Sequence, residues 1–292
     1  MTVDMCPFLS DEQEAEPCPG CKLKGNKAQR VGFEDSKEEC LSGIKEEIKA
    51  AKNTPKLKEI LPLELYKLKR LTTSEEEQKT DVTLRKSALE ILGLMQKIKP
   101  QMKRKEEALF STYMGDVLFN VGQYEKALDR YLRASKKDPK DERVWNNIGV
   151  TLVRQGKLKE ALPFYDKALA LDPTFGSAYF NKGKALFKLG MKKKALGYFR
   201  KAVKYSPENK SAWNNLGVTL RQLKKFKDSI KCYDKALKIH SDYPWAWHNK
   251  GVALMELKRY KDAMECFEKA LQIDPNYEPA KESKRDVMRR VI

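Results

Sequence analysis

Long hydrophobic runs are missing from this chain: no stretch approaches the roughly eighteen apolar residues that a membrane-spanning helix needs. The opening MTVDMCPFLSDEQEAE has neither a basic start nor an apolar stretch, so a secretory leader is not expected. Histidine is scarce. His240 and His248 are the only two, and neither has a cluster of ligands beside it, so each reads as a surface or groove residue. Glycines never gather into a phosphate cradle, and no nucleophile elbow or metal-hydrolase motif occurs. The expectation is a non-enzymatic, soluble protein of the cytoplasm.

Acidic charge is the next shortage. The 292 residues carry 59 Lys and Arg against 41 Asp and Glu, a formal net charge of +18, while 41% hydrophobic content still allows a core. Residues 1–40 hold 9 acidic and 5 basic side chains, 41–107 hold 11 and 16, and 108–292 hold 21 and 38. An acidic head before a basic remainder points to two bodies with different roles.

Cysteine totals six, and without an export signal these are expected as reduced thiols or metal ligands rather than disulfides. Cys6, Cys18, Cys21 and Cys40 fall in the first forty residues, around EPCPGCKLKG. The C-P-G-C turn resembles one knuckle of a zinc ribbon, and four thiolates would complete a closed tetrahedral site. Zinc is the expected ion, with an iron–sulfur cluster or uncoordinated thiols as the alternatives, because the outer spacings are irregular. Cys232 and Cys266 lie thirty-four residues apart and read as small apolar filler.

That spacing of thirty-four governs the rest of the chain. Gly115, Gly149, Gly183, Gly217 and Gly251 follow it without a slip. Small residues keep the same step at Ala127, Ala161, Ala195, Ser229 and Ala263, and again at Ala134, Ala168, Ala202, Ala236 and Ala270. An aromatic stands between each pair, at Tyr131, Tyr165, Phe199, Tyr233 and Phe267. Pro139, Pro173, Pro207 and Pro275 close four of the five units, where proline stops a helix. Each unit reads as two amphipathic helices, about 144–154 and 158–170 in the second copy. Glycine and alanine would let the two backbones approach, and the aromatic would fill space against the neighbouring unit. No pair buries its apolar face alone, so the pairs must stack.

The pattern resembles the tetratricopeptide repeat, with copies at 108–141, 142–175, 176–209, 210–243 and 244–277. Ser111 stands where Trp145, Tyr179, Trp213 and Trp247 serve later copies, and Ser229 and Ser241 replace an alanine and a closing proline. The resemblance implies an all-α fold: an α-solenoid of helix-turn-helix repeats over 108–275. A cysteine-rich head would occupy 1–40, a helical connection 41–107, and a capping helix 276–292, with Tyr277, Ala280, Val287, Met288 and Val291 as its apolar residues.

In this family the first helices line the concave face, which puts Tyr113, Asn147, Asn181, Asn215 and Asn249 along the groove floor. An amide offers donors and an acceptor to an extended peptide backbone whatever its sequence. The alternative is that asparagine merely serves the repeat. Val150, Val153, Phe180, Phe187, Val218, Val252 and Met255 lie nearby, with Lys184, Arg221 and His248 between them. Such a partly apolar, weakly basic trough suits a peptide or helix with apolar anchors and some acidic groups. The carboxylate clamp of cochaperone repeats is absent: the first alignment gives Thr112, Asp116, Asn147, Ser177 and Asn181, of which only Asn147 fits.

A second stripe lies at the turns between paired helices: Lys157 and Lys159; Lys192, Lys193 and Lys194; Lys224, Lys225 and Lys227; Lys258, Arg259 and Lys261. Stacking would align them into a basic edge. It could attract RNA, a ribosomal surface or an acidic protein without reading sequence, or it could simply keep the protein soluble. The expected function is a protein-binding scaffold that takes an extended segment or helix in its groove. The alternative is an RNA- or ribosome-associated factor using the basic edge.

Overall fold

The computed structural model describes residues 41–50, 82–97 and 103–291, together with Leu68, and every regular element among them is helical. The chain divides into two compact units, Met1–Gln123 and Tyr124–Ile292. The division falls inside the first copy, between its two helices. Cys6, Cys18, Cys21 and Cys40 lie outside the described residues.

In the first unit the helical segment 41–50 buries Leu41, Ile44 and Ile48, a three-and-four spacing that places them on one face. Helix α1, Val82–Lys97, buries Ala88, Ile91, Leu92 and Met95 by the same rule. Lys45 Nζ donates to Glu90 Oε2 at 2.7 Å, tying the segment to α1. Helix α2, Arg104–Asn120, opens with the Lys103 backbone N–H donating to Glu106 at 2.8 Å, and buries Phe110, Met114 and Val117.

The second unit runs α3 (Tyr124–Lys137), α4 (Glu142–Arg154), α5 (Leu158–Leu171), α6 (Gly176–Lys188), α7 (Lys192–Tyr205), α8 (Lys210–Gln222), α9 (Phe226–Ile239), α10 (Pro244–Glu256), α11 (Tyr260–Ile273) and α12 (Glu278–Val291). The helices of the second copy thus match the spacing-based bounds to within two residues. Each turn inside a pair needs one residue in the left-handed region. Gly156 and Gly190 supply it at φ 80° and 78°, whereas Lys224 and Lys258 adopt it at 58° and 59° despite a Cβ. Between pairs, Asp172 Oδ1 accepts from the Thr174 N–H at 2.8 Å, an aspartate turn that Asp274 repeats with Asn276.

Within each pair the periodic glycine lies directly under the periodic aromatic. A Cβ added to Gly149, Gly183, Gly217 or Gly251 would meet the ring of Tyr165, Phe199, Tyr233 or Phe267 at 2.5 to 2.9 Å. Each ring thus packs onto the glycine of its own unit, and Phe199 and Phe267 also join apolar clusters with Leu216 and Val287 of the following unit, as expected. The reason is depth. These rings are at most 1% exposed and reach across the pair only where a side chain is missing.

Contacts between pairs use the first helix of one unit against its predecessor. Trp145, Trp213 and Trp247 donate their indole N–H to the carbonyls of Pro139, Pro207 and Ser241 at 2.8 to 2.9 Å. Ser241 therefore supplies the same acceptor as the prolines it replaces. Lys182 pairs with Asp166, Lys250 with Asp234 at 2.7 Å, and Lys284 with Glu268 at 2.8 Å, each from a first helix to the preceding second helix.

That last pair places the C-terminal helix. Glu278 follows Pro244 by thirty-four residues, so α12 occupies the place of a first helix in a sixth unit. Ala280 falls at the buried alanine position of Ala178, Ala212 and Ala246, and Lys284 at that of Lys182 and Lys250. Arg285 stands where the glycine would be. Ala280 and Val287 face inward, while Met288, counted among the apolar cap residues, is 47% exposed.

Candidate functional site

Successive first helices α4, α6, α8, α10 and α12 touch one another side by side, and successive second helices do not do so to the same extent. Elements that crowd lie at the inner radius of a curved stack, so the first helices line the concave side of this unit. Their most buried positions form the core: Val144, Ile148 and Leu152 in α4, Leu216 and Leu220 in α8. Beside that stripe, Val150, Val153, Phe180, Phe187, Val218, Val252 and Met255 are all half-buried, partly packed and partly open.

The asparagine row is present and is partly spent on the scaffold. Asn181 Nδ2 donates to Asn146 Oδ1 at 3.0 Å, and Asn249 Nδ2 donates to Asn214 Oδ1 at the same distance. Asn215 Nδ2 donates to the Ser211 carbonyl of its own helix at 2.8 Å, and Asn147 Oδ1 accepts from Asn146 Nδ2 at 3.5 Å. All four floor amides remain half-buried. The acceptors Asn146 and Asn214 are 7% and 8% exposed, so these bonds satisfy polar groups that burial would otherwise strand. Tyr113 lies in the other compact unit.

Cations punctuate the floor. Lys184 lies over the Phe180 ring at 5.2 Å, its side chain open to solvent only in part. Its pKa is pulled below the usual lysine range by burial of the ammonium, with Arg154 and Lys188 adding like-charge repulsion. Arg221 is half-buried in α8, and its Nε is buried without a hydrogen-bond partner among the described residues. His248 is held neutral with its pKa lowered to about 4, by burial first and by the Arg221 charge second. Its Nε2 lies 3.1 Å from Ser283 Oγ of α12.

Sequence reasoning missed the aromatic end of the groove. Trp245 is 53% exposed and meets Tyr243 and Tyr277 edge-on at 5.7 and 6.1 Å. Tyr277 also meets His248 edge-on at 5.5 Å. The signal was the WAWHNK stretch, whose first Trp precedes the groove asparagine by four residues and hence shares its face.

Away from the groove, the turn residues Lys157, Lys159, Lys192, Lys193, Lys194, Lys224, Lys225, Lys227, Lys258, Arg259 and Lys261 are all exposed. Among the described residues only Arg259 of these has an acidic partner, Asp262 at 2.6 Å. Cys232 and Cys266 are buried filler, and burial pushes both thiols up to about 11. No group of three or more His, Cys, Asp or Glu side chains that could hold a metal occurs among the described residues. No described helix is long and apolar enough to cross a membrane.

Among solved structures, the chain is similar to YrrB, described as a TPR protein with an unusual peptide-binding site. The two share 25% identity over 62% of this chain and 93% of that one, at a TM-score of 0.52. PilF of Pseudomonas aeruginosa shares the fold at 22% identity, over 63% of this chain and 88% of that one, with a TM-score of 0.56. MamA of Desulfovibrio magneticus RS-1 shares it at 21% identity, over 60% and 99%, with a TM-score of 0.54. No curated protein matches. Tetratricopeptide repeat families match residues 114–174, 176–209, 211–243 and 244–277. The chain belongs to the tetratricopeptide repeat family, and its α-solenoid is built from those repeats.

Proposed function

We propose that this protein is an interaction scaffold whose concave groove receives an extended segment or helix of a partner protein. The observation that carries this reading is the open row on the first helices. There, half-buried apolar side chains alternate with amides and with Lys184 and Arg221 along one continuous face. Apolar anchors supply affinity to such a segment, and the amides serve its backbone. The similarity to YrrB, whose description names a peptide-binding site, supports the same reading.

The test is capture from a native extract at low and high salt, wild type against a Phe187→Ala, Asn215→Ala double variant. Asn215 is preferred over Asn181 because its amide bonds its own helix and does not bridge two repeats. Loss of protein partners with unchanged helical content is the expected result. Capture that survives both changes counts against the groove.

The second reading is RNA or ribosome contact through the turn cations, favoured by ten exposed lysines without an acidic partner among the described residues. It requires RNA retention that falls steeply between roughly 50 and 200 mM salt. Retention that survives Lys192, Lys193, Lys224 and Lys225 changed to Glu eliminates it.

A further inference from the structure

The groove carries one place where three repeats' worth of regular packing is interrupted by buried donors that lack an acceptor among the described residues. Tyr233 of α9 crosses Gly217, and a Cβ on that glycine would meet its Cε1 at 2.5 Å. The ring is wholly buried; its hydroxyl oxygen faces the Arg221 guanidinium, and its O–H has no acceptor among the described residues. Arg221 stands one helical turn beyond Gly217 on the same face of α8, and its buried Nε–H also lacks an acceptor. Its charge acts on both the Tyr233 phenol and the His248 ring of α10.

Comparison among the copies shows that this is not a requirement of the repeat. The position of Arg221 is Val153, Phe187 and Met255 in the second, third and fifth copies, and that of Tyr233 is Phe199 and Phe267 in the third and fifth. Only the fourth copy joins a guanidinium to a phenol. Buried donors left without acceptors cost free energy unless something supplies them. Among the described residues no carboxylate does so: Arg221 has no ion pair there, and the nearby acidic side chains are directed to Lys182, Lys250 and Lys284.

Resting on the groove reading above, we propose that the partner segment is acidic and that one of its carboxylates seats on Arg221 and Tyr233 where the fourth and fifth repeats meet. Two donors converging on one acceptor group match a carboxylate, for which a guanidinium is the strongest protein partner. The charge along the rest of the groove agrees. Arg154, Lys184 and Lys188 lie upstream on α4 and α6, close enough for Arg154 and Lys188 to depress Lys184, so an acidic segment relieves their repulsion. Trp245, half-exposed beyond His248, offers an apolar face to a neighbouring side chain of the same segment.

The experiment pans phage-displayed random short peptides against the full chain and measures dissociation constants for the enriched sequences. These are compared with analogues in which each Glu or Asp is replaced by its amide. Acid-rich binders are expected, with one carboxylate whose amide analogue binds at least about tenfold more weakly. Arg221→Gln removes that preference, Arg221→Lys restores part of it, and Tyr233→Phe weakens the acidic peptide but not its amide analogue. Tyr233→Phe keeps the fold, since phenylalanine already fills this place in two copies. Binders without acidic bias, or acidic binders indifferent to both Arg221→Gln and Tyr233→Phe, overturn the proposal while leaving the groove reading intact. Displacement by an RNA homopolymer that depends on Arg221 also overturns it, by making phosphate the anion. Peptides that bind but ignore Phe187→Ala with Asn215→Ala overturn both readings, as does the failure of any peptide to bind.

Discussion

Ser283 Oγ lies 3.1 Å from His248 Nε2, in the register that Asn181 occupies against Asn146. That contact makes α12 a sixth first helix in the stack. Val287 completes the seam, joining Leu254, Cys266 and Phe267 in one apolar cluster. Val287→Asp buries a charge with no partner and is expected to destabilise by about 3 kcal/mol. Removing residues 278–292 is expected to expose the cluster and cause aggregation. Thermal melting and light scattering check both.

Two glycines separate packing from propensity. Gly217→Ala drives a methyl group into the Tyr233 ring and is expected to cost about 1–3 kcal/mol. Gly197→Ala on exposed α7, where a Cβ meets nothing within 4 Å, is expected to stabilise by about 0.5–1 kcal/mol. Urea denaturation distinguishes the signs.

The left-handed lysines store strain. Lys224→Gly and Lys258→Gly are each expected to stabilise by about 0.5–1 kcal/mol, since glycine adopts φ near 58° without a Cβ clash. Gly190→Lys, the reverse change at φ 78°, should destabilise by a similar amount.

His248 sets a pH dependence. Its folded pKa of about 4 lies below the ordinary 6.5, so the unfolded chain binds more protons between those values. Stability is therefore full above about pH 6.5 and falls as pH drops toward 4, by on the order of 2–3 kcal/mol. The neighbours are Arg221 from α8, Phe267 from α11, and Tyr277 and Ser283 at and within the final helix. His248→Asn, the residue of the equivalent positions 146 and 214, is expected to flatten this part of the profile in denaturation measured across pH.

For the cysteine head, the four-thiolate expectation calls for about one equivalent of zinc in full-length protein purified without added metal. Elemental analysis yielding less than about half an equivalent of zinc or iron removes the site.

The period of thirty-four was legible because stacking identical hairpins forces the same small, large and helix-stopping residues to recur. It gave the helices of the second copy nearly to the residue, and it put Asn147, Asn181, Asn215 and Asn249 on one face. The sixth first helix was written there too, in Ala280, Ser283 and Lys284, but Arg285 hid it by replacing the glycine that marks every earlier unit.

What the sequence by itself determined is the repeat, its helix bounds and which residues share one face of the first helices, because these depend on spacing along one chain. Tertiary structure alone decided which amides are spent, with Asn181 on Asn146 and Asn249 on Asn214, and that each aromatic roofs its own glycine. It alone brought Arg221, Tyr233 and His248 together. Those three residues sit on three different helices, and their meeting depends on how the helices pack rather than on any interval between them.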